Sequence, residues 1–168
     1  MRIVFIGSSE SSKLLLRQSL RLNLNIVGIC TLKKSLNHDF VDLKKEFSRL
    51  NIPKMYSSNI NSNFSYKWIK NKKPDLIFCF GWSQIIKKKI FSLSKLATIG
   101  FHPTELPKNR GRHPIIWSLV LGLNKTASTF FKIDNELPDS GRIISQKIIK
   151  IKKNDSARSL YNKIMISS

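Results

Sequence analysis

The sequence predicts an α/β chain built on a mostly parallel, twisted sheet with helices on both faces. Three observations carry this. A β-branched apolar run, Arg2 to Ile6, is followed by the turn Gly7-Ser8-Ser9 and then by leucines at helical spacing, Leu14 to Leu22. A second apolar run, Asn25 to Leu32, comes next, and strand-helix-strand starts of this kind build parallel sheets with right-handed crossovers. A third run, Leu76 to Phe80, is apolar on both faces, as central strands of such sheets are.

Each element follows in order. Ser9 or Ser11 suits the N-cap of the first helix, and Glu10 its first turn. His38 to Leu50 reads as an amphipathic helix with Phe40, Val41, Leu43, Phe47 and Leu50 inward. The polar stretch Lys54 to Phe64 reads as loop, and Phe64 to Lys72 as a short helix. Gly81-Trp82-Ser83 turns the chain after the central strand, and Gln84 to Phe91 reads as a helix. Ala97 to Phe101 is a further strand that runs into His102. Pro114 to Leu123 reads as a buried helix with proline in its first turn. Ala127 to Ile133 and Arg142 to Ile151 read as antiparallel strands around the loop from Asp134 to Gly141. A last helix starts at Asp155, and the chain stops within it. The expectation is one domain, residues 1–168, short in that last helix.

The 168 residues are 41% hydrophobic, enough for a real core. The net charge is +20, from 30 Lys and Arg against 10 Asp and Glu. Three sources of that charge stay open: a general bias towards scattered lysines, attraction to a small polyanion, and nucleic acid. The last lacks a basic patch with stacking aromatics. Cys30 and Cys79 sit in apolar runs without metal-ligand spacing, so buried free thiols in a reducing compartment are expected. No apolar stretch approaches the length of a membrane span, and the expected location is the cytoplasm. There is no GxGxxG, P-loop, HExxH or GxSxG pattern, so no metal site is expected.

The chemistry gathers in Thr98 to Gly122, which holds two of the three histidines and three of the six prolines. His102 stands at a strand end and Asp139 in a Pro-Asp-Ser-Gly turn, both at loops where such sheets hold ligands. A carboxylate beside an imidazole raises and orients it for acid-base work.

The string FHPTELPKNRGRHPIIW, followed by STFFKIDNELPDSGRIISQ, resembles the folate-dependent formyltransferases. That family includes methionyl-tRNA, glycinamide ribonucleotide and sugar N-formyltransferases. The stretch PDLIFCFGWSQII also fits, so the resemblance covers nearly the whole chain. It implies a Rossmann-like formyltransferase fold and 10-formyltetrahydrofolate as formyl donor to a primary amine. His102 matches the family's catalytic histidine and Asp139 its catalytic aspartate. Gly100 stands where the family has a catalytic asparagine, whose amide donates to the formyl oxygen.

The resemblance also implies that the backbone of Phe80, Gly81, Trp82, Ser83, Gln84 and Ile85 holds the pterin, with Leu137, Pro138 and Asp139 closing the other side; the Trp82 ring fits a core aromatic equally well. Arg110, Arg112 and Thr104 are the candidates for acceptor binding, the two arginines equally for holding the loop by salt bridges, and His113 is expected to be structural, hydrogen-bonded beneath the loop. A small nucleotide-linked amino sugar is the leading acceptor, and a homodimer is compatible with the resemblance. Two alternatives remain: transfer to methionyl-tRNA, and a folate- or nucleotide-binding relative impaired by Gly100.

Overall fold

The first apolar run forms strand β1 (Ile3–Ile6), with every residue buried. The computed structural model describes residues 1–168, which divide into two compact units, Met1–Ile99 and Gly100–Ser168. In the first unit, helix α1 (Glu10–Arg21) leads to β2 (Ile26–Thr31), and α2 (Leu43–Glu46) to β3 (Lys54–Tyr56). Helix α3 (Asn63–Asn71), β4 (Leu76–Cys79) and α4 (Lys88–Phe91) follow. The strands lie in the order β3-β2-β1-β4, and all their pairings are parallel. Ile6 pairs with Cys30 on one side and Cys79 on the other; both cysteines are buried free thiols. Burial, reinforced by Cys79, pushes the Cys30 thiol far up, so it is chemically inert.

Serine chemistry organises the first turn. Ser9 caps α1 in a reciprocal box with Ser12. The Ser12 hydroxyl accepts the Ser8 and Ser9 N–H groups at 2.9 and 3.0 Å and donates to the Phe80 carbonyl at 2.6 Å. It thereby ties the β1–α1 turn to the end of β4.

Three expected elements differ, each because tertiary hydrogen bonds displace local ones. The helix expected over 38–50 shrinks to α2, because Asp42 caps it through the Lys44 and Lys45 N–H groups. Residues before Asp42 bond back instead: Val41 N–H to Ser8 O, and Glu10 N–H to Asp39 O. The loop expected over 54–64 opens with β3, whose only buried residue is Met55, too brief an alternation to read as a strand. The helix expected over 84–91 shrinks to α4. Ahead of it the Gln84 amide bonds the Ile60 N–H and Ser58 carbonyl, and Asn61 bonds the Ile85 carbonyl and Lys87 N–H.

Strand β5 (Ala97–His102) carries the chain into the second unit, which holds α5 (Pro114–Val120), β6 (Lys125–Lys132), β7 (Ile143–Lys150) and α6 (Ala157–Ile166). Strands β6 and β7 pair antiparallel, as expected. Ile149, Leu160 and Ile164 form this unit's core, with Phe101, Ile115 and Leu119 packed against them. Ser156 caps α6. The expectation that α5 is buried is corrected: Ile116, Trp117, Val120 and Leu121 leave one side of it about half exposed or more. Only its Ile115, Ser118 and Leu119 side turns inward. No helix is long and apolar enough to cross a membrane.

Replacing Ser12 by alanine removes the acceptor of the Ser9 N–H, the shorter of the two bonds made by the Ser8 N–H, and the hydroxyl that donates to the Phe80 carbonyl. The expected cost is about 1–3 kcal/mol, read as a lower urea midpoint with an unchanged slope. An unchanged midpoint would show that the turn does not depend on this hydroxyl.

Candidate active site

Strand β5 alternates so that Thr98, Gly100 and His102 share its buried face. His102 is the last residue of the strand and is 6% exposed. Its Nδ1 lies 3.5 Å from Asp139 Oδ2, and its Nε2 lies 3.3 Å from the carbonyl oxygen of Asn109. Both ring nitrogens therefore face acceptors. A protonated imidazole can donate to both, whereas a neutral one leaves a lone pair against an oxygen. Burial works the other way and dominates. It pulls the His102 pKa below the ordinary value, against the lifting effects of the Asp139 charge and the Asn109 carbonyl.

The two loops that supply these acceptors are held under backbone strain. Asn109, His113 and Asp139 all adopt left-handed conformations, with φ of 55, 56 and 50°. Asp139 also accepts the Gly111 N–H at 3.1 Å, so one carboxylate joins both loops and the imidazole. Its own loop is shaped by Asn135, whose side-chain oxygen accepts the Leu137 N–H and the Ser140 hydroxyl. The loop closes at Gly141, where a Cβ would lie 1.5 Å from the Lys132 carbonyl oxygen, so no other residue fits. The first loop is pinned to β6 and β7. The Thr126 hydroxyl donates to the Pro103 carbonyl, Thr129 to the Thr104 carbonyl, and Gln146 to the Leu106 carbonyl.

The structure thus brings His102 and Asp139 together, with Gly100 on the same strand face. Arg110 and Arg112 are exposed and line an open groove of about 430 Å³ with His113 and Trp117. Thr104 is corrected: it is fully buried and its hydroxyl donates to the Lys108 carbonyl, so it shapes the loop and does not face a ligand. His113 is also corrected. It lies exposed at the N-cap of α5 without a capping bond, not beneath the loop. Sequence reasoning missed Asn109 and Gly111, which act through backbone atoms. Their only sequence signal was residue type, an asparagine and a glycine on either side of Arg110, both of which tolerate left-handed turns.

The pterin candidates are divided between the units. In the first, the Phe80 side chain is 4% exposed and packs edge-on against Phe5 and stacked on Phe78, so only its backbone is open to such a role. Gly81 has φ of 64°, and a Cβ there would lie 1.9 Å from Ser9 Oγ. The serine turn is thus what excludes a side chain at Gly81. Trp82 keeps its Nε1 out of solvent without a hydrogen-bond acceptor. Ser83 and Ile85 are exposed. In the second unit Leu137 and Pro138 are exposed. No three or more His, Cys, Asp or Glu side chains are grouped as a metal ion would need.

The fold and this two-loop site define a class. The chain belongs to the formyl transferase family, whose model matches residues 1–167. It is 35% identical over 129 residues to the bifunctional polymyxin resistance protein ArnA of Wigglesworthia glossinidia brevipalpis, a match covering 77% of this chain and 20% of that protein. It is 30% identical over 172 residues to the methionyl-tRNA formyltransferase of Kosmotoga olearia, covering 98% of this chain and 54% of that one. The chain therefore spans about half the length of that relative or less. Phosphoribosylglycinamide formyltransferase from Bacillus halodurans shares the Rossmann-like fold at a TM-score of 0.83 and 19% identity, over 99% of this chain and 88% of that one.

The buried imidazole makes stability depend on pH. With its folded pKa below the unfolded value of about 6.5, the unfolded chain binds the proton first. The stability contribution is full above about pH 6.5 and falls as the pH drops through that value. Thermal unfolding of the wild type should show this loss set in as the pH falls through about 6.5, and His102→Gln should remove its share. A wild type and variant with parallel profiles would show that His102 titrates as it does in water.

Proposed function

We propose that residues 1–168 carry the catalytic part of a formyltransferase. It passes a formyl group from 10-formyltetrahydrofolate to a primary amine on a small, nucleotide-linked amino sugar. The observation that carries this is the buried imidazole of His102 set between the Asp139 carboxylate and the Asn109 carbonyl. The donor supplies a formyl carbon bonded to nitrogen N10, which leaves with a proton. His102, when protonated, stabilises the negative charge that develops on the formyl oxygen. Its contacts, at 3.5 and 3.3 Å, are long enough for either N–H to be shared with a further acceptor. Asp139 offsets the cost of that buried charge and takes up, through water, the proton lost by the attacking amine. The amine's bond to the formyl carbon forms first and leaves the charge on the oxygen of a tetrahedral carbon; the bond to N10 then breaks as the carbonyl re-forms, and the proton lost by the amine ends on N10. No residue forms a covalent intermediate.

Several features support the ligands. In the first unit Ile85 is apolar and 45% exposed, as contact with a flat ring requires. Trp82 Nε1 is a donor without an acceptor in the segment expected to hold the pterin, whose ring carries acceptors. Arg110 and Arg112 suit a diphosphate, and Trp117 offers a ring face beside them. The net charge of +20 raises the local concentration of such an anion.

A second reading, methionyl-tRNA as acceptor, is favoured by the 30% identity to an enzyme of that name. It predicts tight tRNA binding that weakens steeply between about 50 and 200 mM salt.

The test is formylation by the purified chain with 10-formyltetrahydrofolate and UDP- or dTDP-linked amino sugars, with methionyl-tRNA in parallel. Mass spectrometry should find a product 28 Da heavier, the mass of CO, on one of the sugars. His102→Gln should lower kcat by about 10²–10³. Product on tRNA alone would move the reading to the second acceptor. Tight folate-analogue binding without any product, unchanged in His102→Ala, would make the chain a binding protein.

A further inference from the structure

Gly100 is buried, and its backbone does not need glycine: φ is positive at Gly81, Gly111 and Gly122 but not here. What excludes a side chain is Phe131. A Cβ at Gly100 would lie 2.6, 2.8 and 3.1 Å from Cζ, Cε1 and Cε2 of that ring, so its tip points at the Gly100 backbone. Phe131 is 5% exposed and has little room to swing away.

A local irregularity accompanies this placement. Phe130 pairs with Ser145, but Phe131 pairs with Ile143, leaving Ile144 over on β7. Such bulges re-aim the side chains beside them. The same face of β5 carries His102 two residues on, about 7 Å along the strand. A side chain at position 100 would stand on the same strand face as the imidazole.

We propose that Phe131 is a positioning residue of the transfer site. Its ring occupies the space of a residue-100 side chain, so the two positions change only together. A polar donor can reach the formyl oxygen from position 100 only when the ring is shortened. The present site stabilises the developing charge with His102 and with no side chain from position 100. The kinetic part of this rests on the formyl-transfer reading; the packing part does not.

A double-mutant cycle tests both. The proteins are the wild type, Gly100→Asn, Phe131→Leu and the pair, each measured for Tm and for formylation of the amino-sugar panel. Gly100→Asn alone should lower Tm by about 5 °C through overpacking and bring no gain in kcat. On the Phe131→Leu background the same change should cost little Tm. There it should raise kcat about tenfold or more over Phe131→Leu alone, with KM for the donor nearly unchanged. Additive Tm shifts, or a Gly100→Asn single variant as stable as wild type, would overturn the pairing. Coupled Tm values with no kcat gain in the pair would overturn the positioning role. Formylation by none of the four proteins would defeat the formyl-transfer reading and the positioning role with it, while the Tm cycle still decides the packing pair. If Phe131→Leu does not fold, Phe131→Met, similar in volume and flexible, carries the same cycle.

Discussion

The structure of the second unit depends on how one imidazole is held. His102 lies out of water with an anionic oxygen near one ring nitrogen and a carbonyl oxygen near the other. The two acceptors favour the charged ring and burial favours the neutral one, so the proton sits in a balance of opposed effects. Burial wins in the resting protein. A further negative charge arriving at the ring would tip the balance, which is the property an oxyanion stabiliser needs. A more exposed histidine would titrate as in water. A buried one without Asp139 would take up its proton only at lower pH.

Everything around the ring serves that placement. The Asp139 carboxylate also holds the Gly111 N–H, so the loop that offers the Asn109 carbonyl cannot move independently of the carboxylate. Three residues held in left-handed conformations would relax were they not tied down. The first loop is tied at Pro103, Thr104 and Leu106 by hydroxyls and an amide on β6 and β7, two strands that are regular and paired along most of their length, and the Asp139 loop is held by Asn135. Rigid strands thus fix strained loops, and the strained loops fix the proton's environment.

The sequence made the parallel start, the antiparallel pair and the capped helices legible, because each has a local signature: apolar alternation, glycine turns and serine caps. The helices around residues 38–50 and 84–91 were overextended because Asp42, Asn61 and Gln84 take backbone groups from distant segments, and periodicity carries no trace of that. His102 and Asp139 were legible as residue types at loop positions. Thr104 was misjudged because a hydroxyl two residues from a histidine expected to be catalytic looks like a ligand group until its own partner, the Lys108 carbonyl, is known. Phe131 was invisible for a simpler reason. Nothing in an ordinary strand sequence says where a phenyl ring points, and this one is defined by a break in strand register.

The most direct measurement of the account is the pH dependence of kcat for formyl transfer in the wild type and in Asp139→Asn. The asparagine keeps an acceptor for the Gly111 N–H but removes the charge that lifts the His102 pKa. The account predicts a slower enzyme whose profile on the His102 limb moves to lower pH. A rate that falls with the profile unmoved would contradict it, because the proton that matters would then not belong to His102.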